Sequence, residues 1–309
     1  MPKYEVKFLG TEGYEGIEGE WYGDCIIIFN ESKKQMVVYD CGSEQHAEKV
    51  IEFMKDKQIT QTDVLLSHND RDHFDGILKL IEEKKVGKIF TTLFLKHVDA
   101  ILEKLDDKRR TDKATKEHIL DLYDNIAELS GNDLKDIYED EGELPNGISF
   151  IGPDKDTMLE LVAKAIKEDS ITTTEGKETL VNAVSLQIAV SMQNDKSLLL
   201  VGDASVENIV CNLKDYWFIQ LPHHGKLASA EAIFKKIEND EDDNIANHTF
   251  VISDNTGTSS GGSDDLMKSK VRIGKDIKNT KKDGTIGFGT STYPSVEIAR
   301  KNYGICSGI

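Results

Sequence analysis

The chain has no long apolar run. Nowhere do its 309 residues approach the ~20 consecutive apolar residues that a bilayer crossing takes. Met1 to Gly10 is a mixed polar strand without the apolar core of a secretion signal, so the expected location is cytoplasmic. Cysteine is scarce: Cys25, Cys41, Cys211 and Cys306 include no C-x-x-C pair. Nothing marks an oxidising compartment, so these read as reduced, mostly buried thiols rather than staples. Positive charge is also short, with 38 Lys and Arg against 56 Asp and Glu and a net charge of −18. Such a surface repels nucleic acid unless a basic patch or bound cations offset it. No repeat of fixed short period is visible, which excludes a solenoid.

What is present is a soluble, globular composition, 38% hydrophobic and 30% charged. The length suits one large α/β domain or two small ones, and the chain is read as a single domain over 1–309. Strands are expected at Tyr4–Leu9, Cys25–Phe29, Gln35–Tyr39, ahead of Ser67, Lys88–Leu95, Ile148–Ile151, Leu186–Val190, Leu198–Val201, Trp217–Leu221 and Thr249–Ser253. Helical spacing is expected over Gln45–Lys57, Ile77–Glu83, Pro153–Lys167 and Glu231–Ile237. Residues 97–142 read as a highly charged helical insertion, and 254–289, rich in Gly, Ser and Lys, as a long mobile loop with a hairpin near Val271–Ile273. Strands dominate and each half begins with them. That suits two mixed sheets packed face to face with helices outside, an αββα sandwich.

The chemistry concentrates in Ser67-His68-Asn69-Asp70-Arg71-Asp72-His73-Phe74-Asp75-Gly76. Val64-Leu65-Leu66 precedes it as a buried strand, so the polar side chains leave a sheet edge, where α/β folds place their sites. The spacing suits two adjacent metals, His68 and Asp70 toward one, Asp72 and His73 toward the other. Imidazole with carboxylate favours zinc, manganese or iron over calcium. The bland alternative is a solvated polar turn.

Asp203 follows the apolar strand Leu198–Val201 and either caps a helix from Ser205 or bridges two metals. His223 and His224 follow another apolar strand, and at least one is expected to bind metal. Asp24 and Asp40 flank the first hairpin. Asp40 either steadies a ligand histidine from behind or bonds its own turn. Asn182 and Ser185 either contact substrate phosphate or cap a turn. His46, His97, His118 and His248 read as surface residues. The basic run Lys268, Lys270, Arg272, Lys275, Lys278, Lys281 and Lys282 reads as a solvated loop or as a clamp for an anionic substrate.

The order of these pieces resembles the metallo-β-lactamase superfamily, whose signature is H-x-H-x-D-H after a strand and later strand-end His, Asp and His ligands. His68, Asp72 and His73 match at the right spacing, Asp203 in Leu-Leu-Leu-Val-Gly-Asp matches the bridging aspartate, and His224 before Gly225 matches the final histidine. The chain looks most similar to the branch that includes the cytoplasmic nuclease-like domain of the competence DNA-uptake channel. The shared motifs are Gly23-Asp24, Asp40-Cys41-Gly42, Ser67 to His73, Asn182 to Leu186, Leu200 to Asp203 and Pro222 to Gly225. Two departures stand out. Asp70 replaces the second histidine, and no histidine lies between His118 and His223, so the middle ligand is missing.

The resemblance implies two divalent cations, zinc or manganese, held by His68, Asp70, Asp72, His73, Asp203 and His224. Asp72, Asp203 and His223 would carry the catalysis, with His223 as proton donor, and Asn182 and Ser185 would meet substrate. It implies a metal-dependent hydrolase, first a phosphodiesterase or nuclease acting on DNA, RNA or a nucleotide. The alternatives are an ester, lactone or thioester hydrolase and a non-catalytic metal-binding module. A flavin-coupled di-iron oxidoreductase would need the missing middle histidine.

Overall fold

The computed structural model describes residues 4–10, 23–105, 129, 131–168, 179–253 and 262–289. The strands among them are β1 (Glu5–Phe8), β2 (Cys25–Asn30), β3 (Gln35–Cys41), β4 (Thr62–Leu65), β5 (Val86–Thr91), β6 (Asp133–Asp136), β7 (Ile148–Gly152), β8 (Gln187–Ser191), β9 (Ser197–Leu200), β10 (Phe218–Gln220), β11 (Thr249–Ile252), β12 (Asp276–Asn279) and β13 (Ile286–Phe288). The longer helices are α1 (Glu44–Lys57), α2 (Arg71–Glu82), α3 (Val98–Leu105), α4 (Lys155–Glu168) and α5 (Leu227–Glu238).

One sheet runs β13-β1-β2-β3-β4-β5-β6 and the other β12-β11-β10-β9-β8-β7. Each joins an antiparallel hairpin to a parallel half. β2 and β3 are antiparallel and β4 to β6 continue parallel to β3. β8 and β9 are antiparallel and β10 to β12 continue parallel to β9. The carboxyl ends of β3, β4, β9 and β10 therefore supply the site's loops, Asp40, Ser67, Asp203 and His223.

The unbroken apolar runs of β2 and β9 follow from burial on both faces. Ile26 and Ile28 join Leu198 and Leu200 in the core between the sheets. Ile27 and Phe29 turn outward under α1 and α2 with Val50, Met54, Ile77 and Leu80. Leu199 and Val201 turn outward under α5 with Ile233, Phe234 and Ile237. The layers are thus α-β-β-α, as the sequence leads one to expect. Each buried Ile, Leu or Phe contributes about 1.5–3 kcal/mol of transfer free energy. The hairpin turn between β2 and β3 forms because Asn30 Oδ1 accepts from the Lys33 amide (3.1 Å) and the Ser32 hydroxyl (2.7 Å).

Three expectations need correction. Residues 133–136, read as helix, form β6, an edge strand paired to β5; α3 is helical as expected, and 106–128 with 130 lie outside the described residues. Within 262–289 there is no long loop. Leu266 is buried, Lys270–Arg272 is a 3₁₀ turn rather than part of a hairpin, and β12 and β13 extend the two sheets. His46, His97 and His248 are buried rather than surface residues; His118 lies outside the described residues. No described helix is long and apolar enough to cross a membrane.

Candidate metal centre

β4 ends at Leu65, and α2 begins at Arg71, earlier than the apolar spacing suggests. Asp70 is the residue before the helix, but its carboxylate does not cap it, so both oxygens stay available to the cleft. Asp72 and His73 occupy the first turn of α2. That turn is seated by two glycines: a Cβ on Gly23 would lie 1.3 Å from the Asp72 carbonyl oxygen, and one on Gly42 would lie 1.9 Å from it. Only glycine permits that approach, and the Asp24 amide then donates to the same carbonyl at 2.9 Å.

Four loops converge here. His68 Nε2 faces Asp70 Oδ2 at 3.6 Å. The His68 and His73 rings are 4.1 Å apart, and His73 and His224 5.2 Å. Asp203 stands among the histidines: Oδ1 is 3.4 Å from His73 Nε2, and Oδ2 is 3.8 Å from His223 Nε2 and 3.9 Å from His224 Nε2. His224 Nε2 lies 3.0 Å from Asp72 Oδ2. Asp203 does not begin the following 3₁₀ turn, whose N-cap is Ser205, so the capping reading is set aside. One donor atom each of His68, His73 and Asp203 lies within 4.8 Å of the other two, close enough to hold an ion.

The backs of the rings are held. Asp40 accepts from the Ser67 amide and hydroxyl, each at 2.6 Å, and contacts His73 Nδ1 at 2.8 Å. Asp40 therefore holds both the Ser67 loop and His73, and it does so from φ +54°, a left-handed conformation. His68 Nδ1 lies 2.9 Å from the Ser67 hydroxyl and 3.3 Å from that of Ser185. His224 Nδ1 donates to the Ser253 carbonyl at 3.0 Å and lies 3.2 Å from Asp24 Oδ1. His223 and His224 both sit near φ +52°, backbone strain of the kind that clusters at functional sites. Ser185 is fully buried, with its hydroxyl beside the rear nitrogen of His68. Asn182, also buried, accepts from the Thr179 hydroxyl with its side-chain oxygen.

With the rear nitrogens engaged, His68 Nε2, His73 Nε2 and Asp203 Oδ1 remain buried without a hydrogen-bond partner. Such atoms are costly unless something occupies the space between them. Nitrogen and oxygen donors in this arrangement fit a divalent cation. The electrostatics agree. Burial alone would lower the His73 and His224 pKa values, but facing Asp203, with Asp40 or with Asp24 and Asp72, holds both well above the usual imidazole range. Burial raises the Asp203 and Asp72 carboxyls, but the imidazoles hold both well below theirs. The pocket demands positive charge. A further trio, His97, Asp136 and Glu139, is close enough to hold an ion. There, however, Asp136 already contacts His97 Nε2 and accepts from the Leu93 amide, each at 2.9 Å, and Glu139 pairs with Lys96.

One residue of the site escaped the sequence reading. Gln220 is buried at the end of β10 and bonded to Asp24. Its signal was a lone amide inside the apolar run Trp217–Leu221, directly before Pro222-His223-His224-Gly225.

No family model matches the sequence, and no curated protein does. Among solved structures the chain is similar to the metallo-β-lactamase fold protein YhfI from Bacillus subtilis, at 13% identity over 93% of this chain and 100% of that one, with a TM-score of 0.48. It is also similar to the BLEG-1 B3 metallo-β-lactamase, at 14% identity over 76% of this chain and 85% of that one, TM-score 0.30. A third likeness is to a variant of CmlA β-hydroxylase, at 11% identity and TM-score 0.44; it takes in 94% of this chain and 54% of that one.

Proposed function

We propose that this protein is a metal-dependent hydrolase, and that its substrate is a phosphodiester. The observation that carries the reading is the convergence of His68 Nε2, His73 Nε2 and Asp203 Oδ1, buried and without hydrogen bonds, at the carboxyl ends of strands from both sheets. His68, Asp70, Asp72, His73, Asp203 and His224 would hold two divalent cations, zinc or manganese. Bound there, such ions neutralise the charge of a phosphoryl group and lower the pKa of water. The chain's own part is to keep the donor atoms fixed: Asp40 and Ser67 stop His73 and His68 from turning, and Ser253 does the same for His224. His223, at the rim with 11% of its side chain exposed, would hand a proton to a leaving oxygen. Asp70, its side chain 45% exposed, adds a carboxylate where the resemblance leads one to expect imidazole. That oxygen-rich donor set favours phosphoester chemistry and admits manganese.

The net charge bears on substrate size. In the basic run, Lys268 and Lys281 pair with Asp264, Lys275 with Glu238 and Lys278 with Asp276. Those four lysines each have an acidic neighbour, which reduces the positive field of this surface, while Lys270, Arg272 and Lys282 lie exposed beside them. The reading therefore favours a small phosphodiester, such as a nucleotide, over a long strand.

The test is elemental analysis of purified protein together with turnover of bis-p-nitrophenyl phosphate under zinc and under manganese. p-Nitrophenyl acetate and single-stranded DNA are run alongside. Bound metal with phosphodiester turnover that fails in Asp72→Ala is the expected result. Turnover of the acetate alone would move the assignment to ester hydrolysis, and bound metal without turnover of any substrate would leave a binding module.

A further inference from the structure

We propose that Gln220 is a positioning residue that sets the seat of one of the two cations, an inference that rests on the metal reading above. Gln220 is 1% exposed. Its Oε1 accepts from the amides of Val201 (2.9 Å) and Gly202 (3.1 Å). The last registered pair between β9 and β10 is Leu199 with Ile219. Beyond it, the amide side chain takes over the hydrogen bonding of the turn that carries Asp203. That turn has little freedom, because Gly202 has φ +52° and a Cβ on it would lie 2.8 Å from Ser67 Cβ.

The other end of the amide crosses to the first sheet, where Nε2 donates to Asp24 Oδ2. Asp24 Oδ1 lies 3.2 Å from His224 Nδ1. One side chain thus ties the backbone beneath Asp203 to the carboxylate behind His224. The amide has one working orientation. Reversed, its NH₂ would face two backbone N–H groups and its oxygen would face a carboxylate. The position needs an acceptor on one side and a donor on the other, at glutamine's length. Glutamate supplies the acceptor and the length but sets a second carboxylate against Asp24.

Groups behind metal ligands typically weigh 10–100-fold in metal affinity. Zinc binding by equilibrium dialysis, with far-UV circular dichroism as the check on folding, tests the inference in three proteins. Wild type is expected to bind two equivalents. Gln220→Glu is expected to keep the first equivalent and to bind the second ~10–100-fold more weakly. The double variant Asp24→Asn with Gln220→Glu reverses the bond, since an amide at 24 donates to a carboxylate at 220, and recovers most of that loss. If Gln220→Glu binds both equivalents as wild type does, or loses both alike, the inference is wrong. It is also wrong if the double variant binds the second equivalent no better than the single. Should the single variant misfold, the double variant decides alone: wild-type binding supports the inference and a weakened second equivalent overturns it. A wild-type protein that binds no zinc or manganese overturns the metal reading and this inference with it.

Discussion

His248 and His73 are both buried and both face an aspartate, yet their rings are bonded differently. At His248, Nδ1 donates to the Tyr216 carbonyl at 2.7 Å and Nε2 meets Asp243 at 2.8 Å. At His73, Nδ1 meets Asp40, while Nε2 faces Asp203 at 3.4 Å without a hydrogen bond. His97 Nε2 likewise meets Asp136 directly, at 2.9 Å, whereas His68 and Asp70 resemble the second case. A His–Asp pair by itself therefore says little. Away from the cleft, a ring closed at both ends, as at His248, is a strut between elements; within it His68 and His73 are closed only at the rear, and the front of His224 meets Asp72, itself one of the proposed cation-holding carboxylates. The strands explain the difference: the open pairs lie where four strand ends meet, and the closed ones brace loops away from that meeting point.

The comparison breaks most decisively at Asp203. Asp203→Ala removes the carboxylate that faces His73, His223 and His224 together. We expect bis-p-nitrophenyl phosphate turnover to fall more than ~100-fold, since even the groups behind ligands weigh 10–100-fold. Wild-type steady-state rates in this variant would show that the open histidines do not serve the reaction. Asp40→Asn is the next test. It leaves the first sheet intact but loosens the Ser67 loop and the rear of His73. Zinc affinity should drop ~10–100-fold, read by competition with a chelating dye.

How much of this was legible beforehand depends on range. His68, Asp72 and His73 lie in one turn after an apolar run, so spacing alone exposed them. Asp203 and His224 were visible because each ends an apolar strand. Gln220 was not, because its meaning comes from Asp24 on the other sheet, 196 residues away in sequence. The burial of His46, His97 and His248 likewise depends on what packs over them. β6 hid because Asp133-Leu134-Lys135-Asp136 reads as polar, which edge strands commonly do. β12 and β13 hid because strands of four and three residues carry too few alternations to register.

Acidity tests the cleft histidines in a third way. The folded pKa values of His73 and His224 are raised by the carboxylates of the metal-free cleft. Their contribution to stability is fully present below the unfolded value near ~6.5 and is lost as pH rises through the folded values. Metal-free protein should therefore lose thermal stability as pH rises above that point, by up to roughly 1.4 kcal/mol per unit for each histidine. Added zinc should stabilise more at higher pH, because it displaces those protons. His46, which burial pushes down to about 4, is neutral in both states there and does not confuse the result. A zinc-induced shift in Tm that shrinks on the alkaline side would contradict the assignment.

The smallest effect on function is expected at a closed pair, and it is the control for the rest. His248 links the Tyr216 carbonyl, just before β10, to Asp243, in the loop between α5 and β11. His248→Ala removes both bonds and leaves the Asp243 carboxylate, 5% exposed, without its imidazole partner. A lost buried partner of this kind costs ~1–3 kcal/mol, so the urea midpoint should fall. Zinc stoichiometry and phosphodiester turnover should stay at wild-type levels, because the imidazole is already fully engaged away from the cleft. If His248→Ala lost metal as Asp203→Ala does, histidines inside and outside the meeting point of the strand ends would not differ in function, and position in the fold would be no guide to which of them hold a cation.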